Sequence, residues 1–269
     1  MIPPRSIANA AVAMLGTVER SATITMKLHI LGCGDAFGSG GRNQSGYLVE
    51  ATDKRFLLDC GPTTLLALKR AGFDPRRLDA ILLSHLHGDH FGGIAFFFIE
   101  YLFVQPRLDP LVIAGPPGTE GKVRALFEVM YGGGATEKEI PPTRFVVLRP
   151  DEPAELNGIA VAPFRVPHQS DAISLGLKVS CQGKTILFSG DSLWTERFVE
   201  LGDGVDLFLC ECSFFYEQPG MHVNYQALAA DLGRMACKQL VLTHLGEEML
   251  SHRNEIATKV AEDGMVLEI

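Results

Sequence analysis

The sequence predicts one α/β domain in which strands predominate over helices, and three observations support this. Short apolar runs bounded by glycine, proline and other turn residues alternate with fewer segments of helical periodicity. No repeat, low-complexity tract or linker interrupts the pattern. The composition, 46% hydrophobic and 21% charged over 269 residues, is typical of a globular protein with one large core or two modest ones.

The fold is expected to begin at Lys27, after an N-terminal extension of residues 1–26. Residues 7–18 are rich in alanine and follow Arg5, which weakly resembles a secretory signal, but no small-x-small cleavage site follows them. A frayed extension, or a true start at Met26, is the favoured interpretation. Residues 27–269 would then form the single domain.

A glycine-rich loop follows the first predicted strand, Leu28–Leu31. Residues 32–41 contain five glycines, so backbone N–H groups could converge there on an anion, with Arg42 and Asn43 adding donors. The spacing differs from the nucleotide-binding glycine motifs, and no helical pattern follows. A loop that is merely flexible fits the same residues equally well.

The later strands are predicted from short apolar runs, several of them without alternation, as in strands buried on both faces. They are Tyr47–Glu50, Arg55–Asp59, Ala80–Leu83, Leu111–Ala114, Phe145–Leu148, Ile159–Val166, Ser174–Ser180, Thr185–Ser189, Leu207–Cys210, Leu240–Thr243 and Val266–Ile269. The predicted helices are Pro62–Lys69, Gly93–Gln105, a helix ending near Val129, Tyr225–Met235 and a short helix near His252–Val260.

The segment Gly93–Gln105 is apolar on nearly every side, so other parts of the protein must cover it. Its phenylalanines are expected to belong mainly to the core. Part of the segment could instead line a substrate pocket or a dimer interface.

A cluster of potential metal ligands, His85-Leu86-His87-Gly88-Asp89-His90, directly follows a predicted buried strand. The first two histidines stand two residues apart, so both imidazoles can face one cation in an extended or turn conformation. Gly88, free to adopt positive φ, is expected to turn the chain and aim the last two ligands at a neighbouring position. Imidazole with carboxylate suits zinc, or manganese or iron in a site richer in oxygen. A solvated polar turn is the alternative interpretation.

Three more ligand candidates each stand at the end of a predicted strand: His168, Asp191 and His244. Each of them alone could be an ordinary surface residue. Strand ends in layered α/β folds face the same edge, so these distant segments can converge on the histidine cluster. We therefore expect one composite metal site.

Together these residues resemble the metal motifs of the metallo-β-lactamase superfamily, in order and spacing from Lys27 to the C-terminus. The resemblance implies an αββα sandwich with two divalent metal ions, zinc above all, in the groove between the sheet edges. Manganese and iron remain alternatives. One metal would be held by His85, His87 and His168, the second by Asp89, His90 and His244, and Asp191 would bridge them.

Within the superfamily the sequence is most similar to the tRNase Z-like phosphodiesterase branch. Gly41-Arg42-Asn43-Gln44-Ser45 is similar to that branch's early R-N-x-S element. Glu211, with His222 eleven residues later, resembles its Glu and His pair, which supplies a proton to the leaving group. A salt bridge at the pocket edge is the structural alternative for this pair.

Two departures argue against tRNA as the substrate. Only 22 residues separate His168 from Asp191, which leaves no room for the long arm with which short tRNA 3′-endonucleases grip the tRNA. The segment Leu245-Gly246-Glu247-Glu248 is acidic where those nucleases carry a basic, aromatic stretch.

The predicted function is a metal-dependent phosphodiesterase acting on a small phosphodiester or nucleotide-type substrate. The expected mechanism uses a hydroxide bridging two metals, oriented by Asp89 and Asp191, while His222, kept protonated by Glu211, donates to the departing alkoxide. A thioesterase, lactonase or arylsulfatase on the same metal site is the alternative enzyme. A metal-binding protein without catalytic activity is the alternative of another class.

Charge and cysteine content indicate which classes of partner and which compartment to expect. The net charge of −8 disfavours a polyanion-binding surface, so a small-molecule substrate is expected and nucleic acid is not. The six cysteines show no C-x-x-C spacing, which predicts reduced thiols in a cytoplasmic protein. No apolar run reaches the ~18 residues of a membrane span. A homodimer is possible.

Overall fold

Fourteen strands pair into two sheets in the computed structural model, which describes residues 26–132, 140–218 and 220–269. The extension predicted for residues 1–26 lies outside these ranges except for Met26, which is buried. None of the helices in the described part of the chain has the length and apolar character that a membrane span requires. All six cysteines are free, and five of them are buried.

The first sheet has seven strands in the order β14-β1-β2-β3-β4-β5-β6. Strands β3 to β6 run parallel to one another, and β1 pairs antiparallel with both β2 and β14. Their bounds are β1 Lys27–Gly32, β2 Gly46–Glu50, β3 Arg55–Cys60, β4 Ala80–Leu82, β5 Leu111–Gly115, β6 Thr143–Val147 and β14 Val266–Glu268.

The second sheet also has seven strands, in the order β13-β12-β11-β10-β9-β8-β7. Strands β10 to β13 are parallel, whereas β7 to β10 form an antiparallel meander. Their bounds are β7 Ala154–Glu155, β8 Ala160–Arg165, β9 Leu175–Cys181, β10 Lys184–Phe188, β11 Leu207–Glu211, β12 Leu240–Thr243 and β13 Lys259–Val260.

Helices cover the outer face of each sheet. Within the described residues they are α1 Thr64–Arg70, α2 Gly88–Phe91, α3 Ile94–Ile99, α4 Thr119–Tyr131, α5 Glu196–Gly202, α6 Tyr225–Asp231 and α7 Glu247–Ser251. A π-helix, Glu100–Val104, continues α3.

Three apolar clusters give the molecule four layers. The central cluster joins the inner faces of both sheets, with residues such as Leu28 from β1 and Leu177 from β9. One outer cluster packs Phe97 and Phe98 of α3 under the first sheet, and the other packs Phe198 of α5 under the second. Each of these large buried side chains stabilises the fold by roughly 1.5–3 kcal/mol. The αββα sandwich expected from the sequence is therefore confirmed.

Most of the apolar segment Gly93–Gln105 forms core, as its composition predicts, whereas Phe103 and Val104 near its end are 52% and 63% exposed. Ile94, Phe97 and Phe98 are fully buried against the first sheet. The segment does not contribute to the wall of the cavity described below. Its expected share in a substrate pocket or a dimer interface stays a prediction.

One local prediction near the C-terminus fails. The helix expected near His252–Val260 is absent: α7 ends at Ser251, a single 3₁₀ turn covers Arg253–Glu255, and Lys259–Val260 forms β13. Pairing of β13 with β12 satisfies backbone groups that an isolated short helix would leave open, so sheet context overrides local periodicity. The sequence patterns also did not predict α5 or β7.

Candidate metal centre

Four strands deliver the candidate ligands to one edge of the sandwich. His85 follows β4, His168 follows β8, Asp191 follows β10 and His244 follows β12. Because β4 lies in the first sheet and the other three in the second, the ligands converge across the gap between the sheets. The nine predicted site residues lie within this one region, and their roles remain predictions. They are His85, His87, Asp89, His90, His168, Asp191, Glu211, His222 and His244.

The first group of ligand atoms gathers around His87. Its Nδ1 lies 3.1 Å from Nε2 of His85 and 3.1 Å from Nε2 of His168. Oδ2 of Asp191 is 3.7 Å from the His85 nitrogen and 3.8 Å from that of His168. Three imidazole nitrogens and one carboxylate oxygen can thus share a single cation.

The second group gathers on the other side of Asp191. Nε2 of His90 lies 3.2 Å from Oδ2 of Asp89 and 3.2 Å from Oδ2 of Asp191. Nε2 of His244 is 3.4 Å and 3.5 Å from the same two oxygens. Oδ2 of Asp191 therefore belongs to both groups, as expected of a bridging ligand.

The outer nitrogens of the buried histidines are occupied by acceptors, which leaves their inner Nε2 atoms with lone pairs. His90 donates from Nδ1 to Asp59, and His168 donates from Nδ1 to the carbonyl of Met221 at 3.0 Å. His85 and His244 donate from Nδ1 to the hydroxyls of neighbouring serines, at 3.0 Å and 2.9 Å. A hydrogen bond on one ring nitrogen determines the tautomer, so the other nitrogen is available to a metal ion.

The environment of the ligand atoms suits a metal cation. Nε2 of His90 is buried and has no partner of acceptable hydrogen-bond geometry. Burial and the neighbouring histidines hold the pKa of His85 well below its usual value, so this ring is neutral and able to ligate. Burial alone would lower the pKa of His90, but the charges of Asp191 and Asp59 outweigh it and raise that pKa. The same carboxylates favour a metal cation at this position.

Gly88 does not act as the sequence suggested. The expected positive φ is absent, since Gly88 begins α2 and His87 is the preceding cap residue in an extended conformation. One helical turn, rather than a left-handed glycine, carries Asp89 and His90 towards the second group. A short helical turn after a strand satisfies the backbone N–H groups of His90 and Phe91 through the carbonyl of His87.

Asp59, at the end of β3, is a site residue that the sequence patterns missed. Its carboxylate accepts hydrogen bonds from Nδ1 of His90 at 2.7 Å, and from the N–H and hydroxyl of Ser84 at 2.8 Å each. It is fully buried and has φ of 56°, a left-handed conformation that is uncommon outside glycine but tolerated by aspartate. The signal that could have found Asp59 was its position at the end of β3, which pairs in parallel with β4, the strand before His85.

Ser213 is a second missed residue, and it links the metal ligands to Glu211. Its hydroxyl lies 2.9 Å from Nδ1 of His244 and 3.2 Å from Oε2 of Glu211. His244 itself has φ of 56°, so a left-handed residue aims this ligand from the end of β12. The serine thus couples the orientation of His244 to that of Glu211.

Glu211 and His222 form a hydrogen-bonded pair next to the candidate ligands. Nδ1 of His222 donates to Oε1 of Glu211 at 2.9 Å, and the His222 ring stacks on that of His244 with 5.3 Å between centroids. Glu211 is buried, and it also accepts from the N–H of Ser192 at 2.8 Å. Burial lowers the pKa of His222, but the hydrogen bond and charge of Glu211, with that of Asp191, raise it to about 9.

A cavity of about 460 Å³ opens over these residues. Its wall combines candidate ligands with three loops, those after β1, β11 and β12. The lining residues are Asp35, Ala36, Phe37, Ser39, His87, Asp89, Asp191, Ser213, Phe214, His222, His244, Gly246, Glu247 and Glu248.

The glycine loop does not present its backbone N–H groups to an external anion. Asp35 accepts from the N–H groups of Phe37 and Ser39, at 3.1 Å and 3.0 Å, and Glu247 accepts from that of Gly40 at 3.0 Å. Carboxylates of the chain itself thus accept from these three N–H groups, and Gly34, Gly38 and Gly41 donate to backbone carbonyls. From the acidic segment after β12, Glu247 serves this purpose, whereas Glu248 accepts from the N–H of Phe215.

The sandwich and its paired His and Asp groups define a metallo-β-lactamase fold protein with a candidate metal centre between the sheets. Residues 26–265 match the family described as Anti-Pycsar protein Apyc1, and the chain belongs to that family.

Comparisons with known proteins confirm the fold and the superfamily resemblance. The probable metallo-hydrolase YhfI of Bacillus subtilis is 26% identical over 232 residues, with 82% of this chain and 87% of the relative covered. A ribonuclease Z of Exiguobacterium is 25% identical over 288 residues, covering 88% of this chain and 94% of the relative. These relatives support a metallo-hydrolase.

Solved structures agree at the level of the fold. The crystal structure of YhfI, a metallo-β-lactamase fold protein from Bacillus subtilis, superposes with a TM-score of 0.74 and 23% identity, covering 91% of this chain and 100% of that one. Human tRNase Z, short form, superposes with a TM-score of 0.71 and 23% identity, covering 90% of this chain and 98% of the human one. The tRNase Z-like branch fits this chain.

Proposed function

We propose that this protein is a metal-dependent phosphodiesterase acting on small phosphodiesters or nucleotide-type substrates. The observation that carries the proposal is the Glu211–His222 pair, with its 2.9 Å hydrogen bond beside the ligand groups. Esters with activated leaving groups need no proton donor, whereas the alkoxide leaving from an unactivated phosphodiester does. The ribonuclease Z relatives and the tRNase Z fold neighbour support this choice.

The chain offers ligands for two divalent ions, and zinc suits a set that is richer in imidazole than in carboxylate. His85, His87 and His168 would hold one ion, Asp89, His90 and His244 the other, with Asp191 shared between them. When bound, such ions supply Lewis acidity, polarising a phosphoryl oxygen and making a water molecule acidic enough to react near neutral pH.

The residues of the chain supply orientation and the proton. Asp89 and Asp191 are acceptors on the cavity wall and can orient an attacking water molecule by accepting its hydrogen bonds. Nδ1 of His222 is engaged by Glu211, so Nε2 is the atom that can donate to a leaving oxygen in the cavity. Glu211 stabilises the protonated ring, which is the form that can donate.

The cavity favours a small substrate with few charges. Between His168 and Asp191 the chain makes the hairpin of β9 and β10 with a Gln182-Gly183 turn, so no arm projects there. The wall contains Glu247 and Glu248, and no lysine or arginine is among its lining residues in the described ranges. A polyanion such as tRNA needs basic contacts, and this wall has none to offer.

A thioesterase, lactonase or arylsulfatase would use the same ligands, so direct comparison of rates is the test. The purified protein, loaded in turn with zinc, manganese or iron, would be assayed on bis(p-nitrophenyl) phosphate, a thioester, a lactone and an aryl sulfate. We expect metal-dependent cleavage of the phosphodiester at the highest kcat/KM.

Two results would reject the proposal. Faster turnover of another ester class would assign the site to that class. Stoichiometric metal with no turnover of any of the four compounds would point to the non-catalytic metal-binding alternative.

A further inference from the structure

We propose that Phe37 is a specificity-determining residue whose ring stacks on a planar group of the substrate beside the scissile phosphodiester. The inference rests on the proposed phosphodiesterase function. Phe37 is 91% exposed and yet lines the same cavity as Asp191 and His222. The ring therefore makes little contact with the rest of the protein and can contact a molecule that occupies the cavity.

The backbone that carries Phe37 is held in place by hydrogen bonds. Asp35, which is 7% exposed, accepts from the N–H groups of Phe37 and Ser39 and from the Ser39 hydroxyl at 2.7 Å. Glu247 accepts from the N–H of Gly40 at 3.0 Å and so attaches the loop to α7. An aromatic ring on a pre-organised loop loses little conformational entropy when it binds a ligand.

Close packing at Gly40 adds to this constraint. A Cβ atom there would lie 2.8 Å from Cδ1 of Leu250 and 2.8 Å from Nη1 of Arg42, and Gly40 has φ of 63°. A residue with a Cβ would have to displace these two side-chain ends and hold a left-handed φ, which is strained outside glycine. The glycine therefore lets the Phe37 loop approach the helix that borders the cavity.

The chemistry of the surrounding wall favours a planar, uncharged group. Phe214 also lines the cavity, with its ring at 71° to that of His222 and 6.3 Å between centroids. Aromatic faces bind bases or similar rings by stacking, whereas the acidic neighbours Glu247 and Glu248 disfavour a second phosphate. Aromatic stacking of one base typically changes affinity by tenfold or more.

The test compares two diesters that differ only in their planar groups. They are thymidylyl-3′,5′-thymidine and its analogue in which hydrogen replaces both bases, and bis(p-nitrophenyl) phosphate reports the basal activity. For the wild type we expect about tenfold higher kcat/KM on the base-containing diester. Phe37→Leu should remove most of that advantage through KM, so that the two diesters are cleaved with similar kcat/KM. Phe37→Tyr should restore the advantage.

A binding measurement gives a second readout that does not depend on turnover. In Phe37→Trp, the added indole fluorescence should be quenched by thymidylyl-thymidine and not by the base-free analogue. Leu108→Ala, at a side chain that is 87% exposed and outside the cavity wall, is the matched control and should behave as wild type.

Each other outcome is decisive. Equal rates of the wild type on the two diesters, or failure to cleave thymidylyl-thymidine while bis(p-nitrophenyl) phosphate is cleaved, would overturn the role of Phe37 and keep the proposed function. An altered oligomeric state of Phe37→Leu with unchanged discrimination would make Phe37 a contact between copies of the chain. If the wild type cleaves none of the three diesters, the proposed function itself is rejected.

Discussion

Asp59 and His90 are joined by a buried hydrogen bond of 2.7 Å between Oδ2 and Nδ1, and neither residue is more than 1% exposed. The bond determines which nitrogen of His90 faces the ligand groups. Asp59 also receives the hydroxyl of Ser84, which in turn accepts from His85. One carboxylate outside the ligand set thus orients a ligand from each of the two groups.

Asp59→Asn should weaken metal binding without removing a ligand. Substituting a residue that hydrogen-bonds to a metal-ligating histidine typically lowers metal affinity by about 10- to 100-fold. The measurement is competition with a chromophoric chelator, with Asp109→Asn at an exposed position as control. Affinity equal to that of the wild type would show that Asp59 does not orient His90 for metal.

Asp191→Ala should reduce bound metal more than loss of any single histidine, because Oδ2 of Asp191 lies within 3.9 Å of both groups and of His222. We expect loss of at least one metal per chain and no measurable diester cleavage. Metal content by elemental analysis, together with turnover of bis(p-nitrophenyl) phosphate, checks this. Full metal content with normal turnover would contradict a shared-ligand site.

His222→Asn should affect substrates according to their leaving groups. We expect kcat to fall by about 10²–10⁴-fold on dialkyl phosphodiesters, which release a strongly basic alkoxide. On bis(p-nitrophenyl) phosphate the loss should be much smaller, because nitrophenolate leaves without a proton. Comparing kcat for the two substrates is the measurement, and equal losses would assign His222 a structural role at the cavity edge.

Glu247→Gln should make the enzyme more tolerant of substrates that carry an additional negative charge. Glutamine can still accept from the N–H of Gly40, so the loop is retained while one charge leaves the cavity wall. We expect kcat/KM on a 5′-phosphorylated dinucleotide to rise by about threefold relative to the unphosphorylated one at low salt. Glu120→Gln, on α4 and away from the cavity, is the control, and an unchanged ratio in Glu247→Gln would exclude charge selection by this wall.

Tyr47→Phe should destabilise the sandwich. The fully buried hydroxyl of Tyr47 in β2 lies 2.8 Å from Oγ1 of Thr243 in β12, so it bridges the two sheets. Removing it leaves the threonine hydroxyl without that partner and should lower the free energy of unfolding by about 1–2 kcal/mol. Urea unfolding measures the change, with Tyr216→Phe at an exposed tyrosine as reference; equal stability of both variants would argue against a structural role for the bridge.

Most of the architecture could be predicted from local patterns, because strands buried on both faces appear as short apolar runs. The ligand candidates stood out for the same reason, since His85 and Asp191 follow such runs directly. Periodicity failed near the C-terminus, where β13 forms only because β12 is beside it. It also failed at Gly88, where a helical turn replaces the expected left-handed glycine.

The sequence by itself determined the residue types of the site, their order and their positions at strand ends, since side-chain chemistry and apolar periodicity are local properties. Only the tertiary structure decided which atoms meet. Asp59 and Ser213 act on ligands 31 residues away in the chain, through contacts that no local pattern encodes. The exposed ring of Phe37 and the loop that holds it likewise depend on α7, more than two hundred residues later.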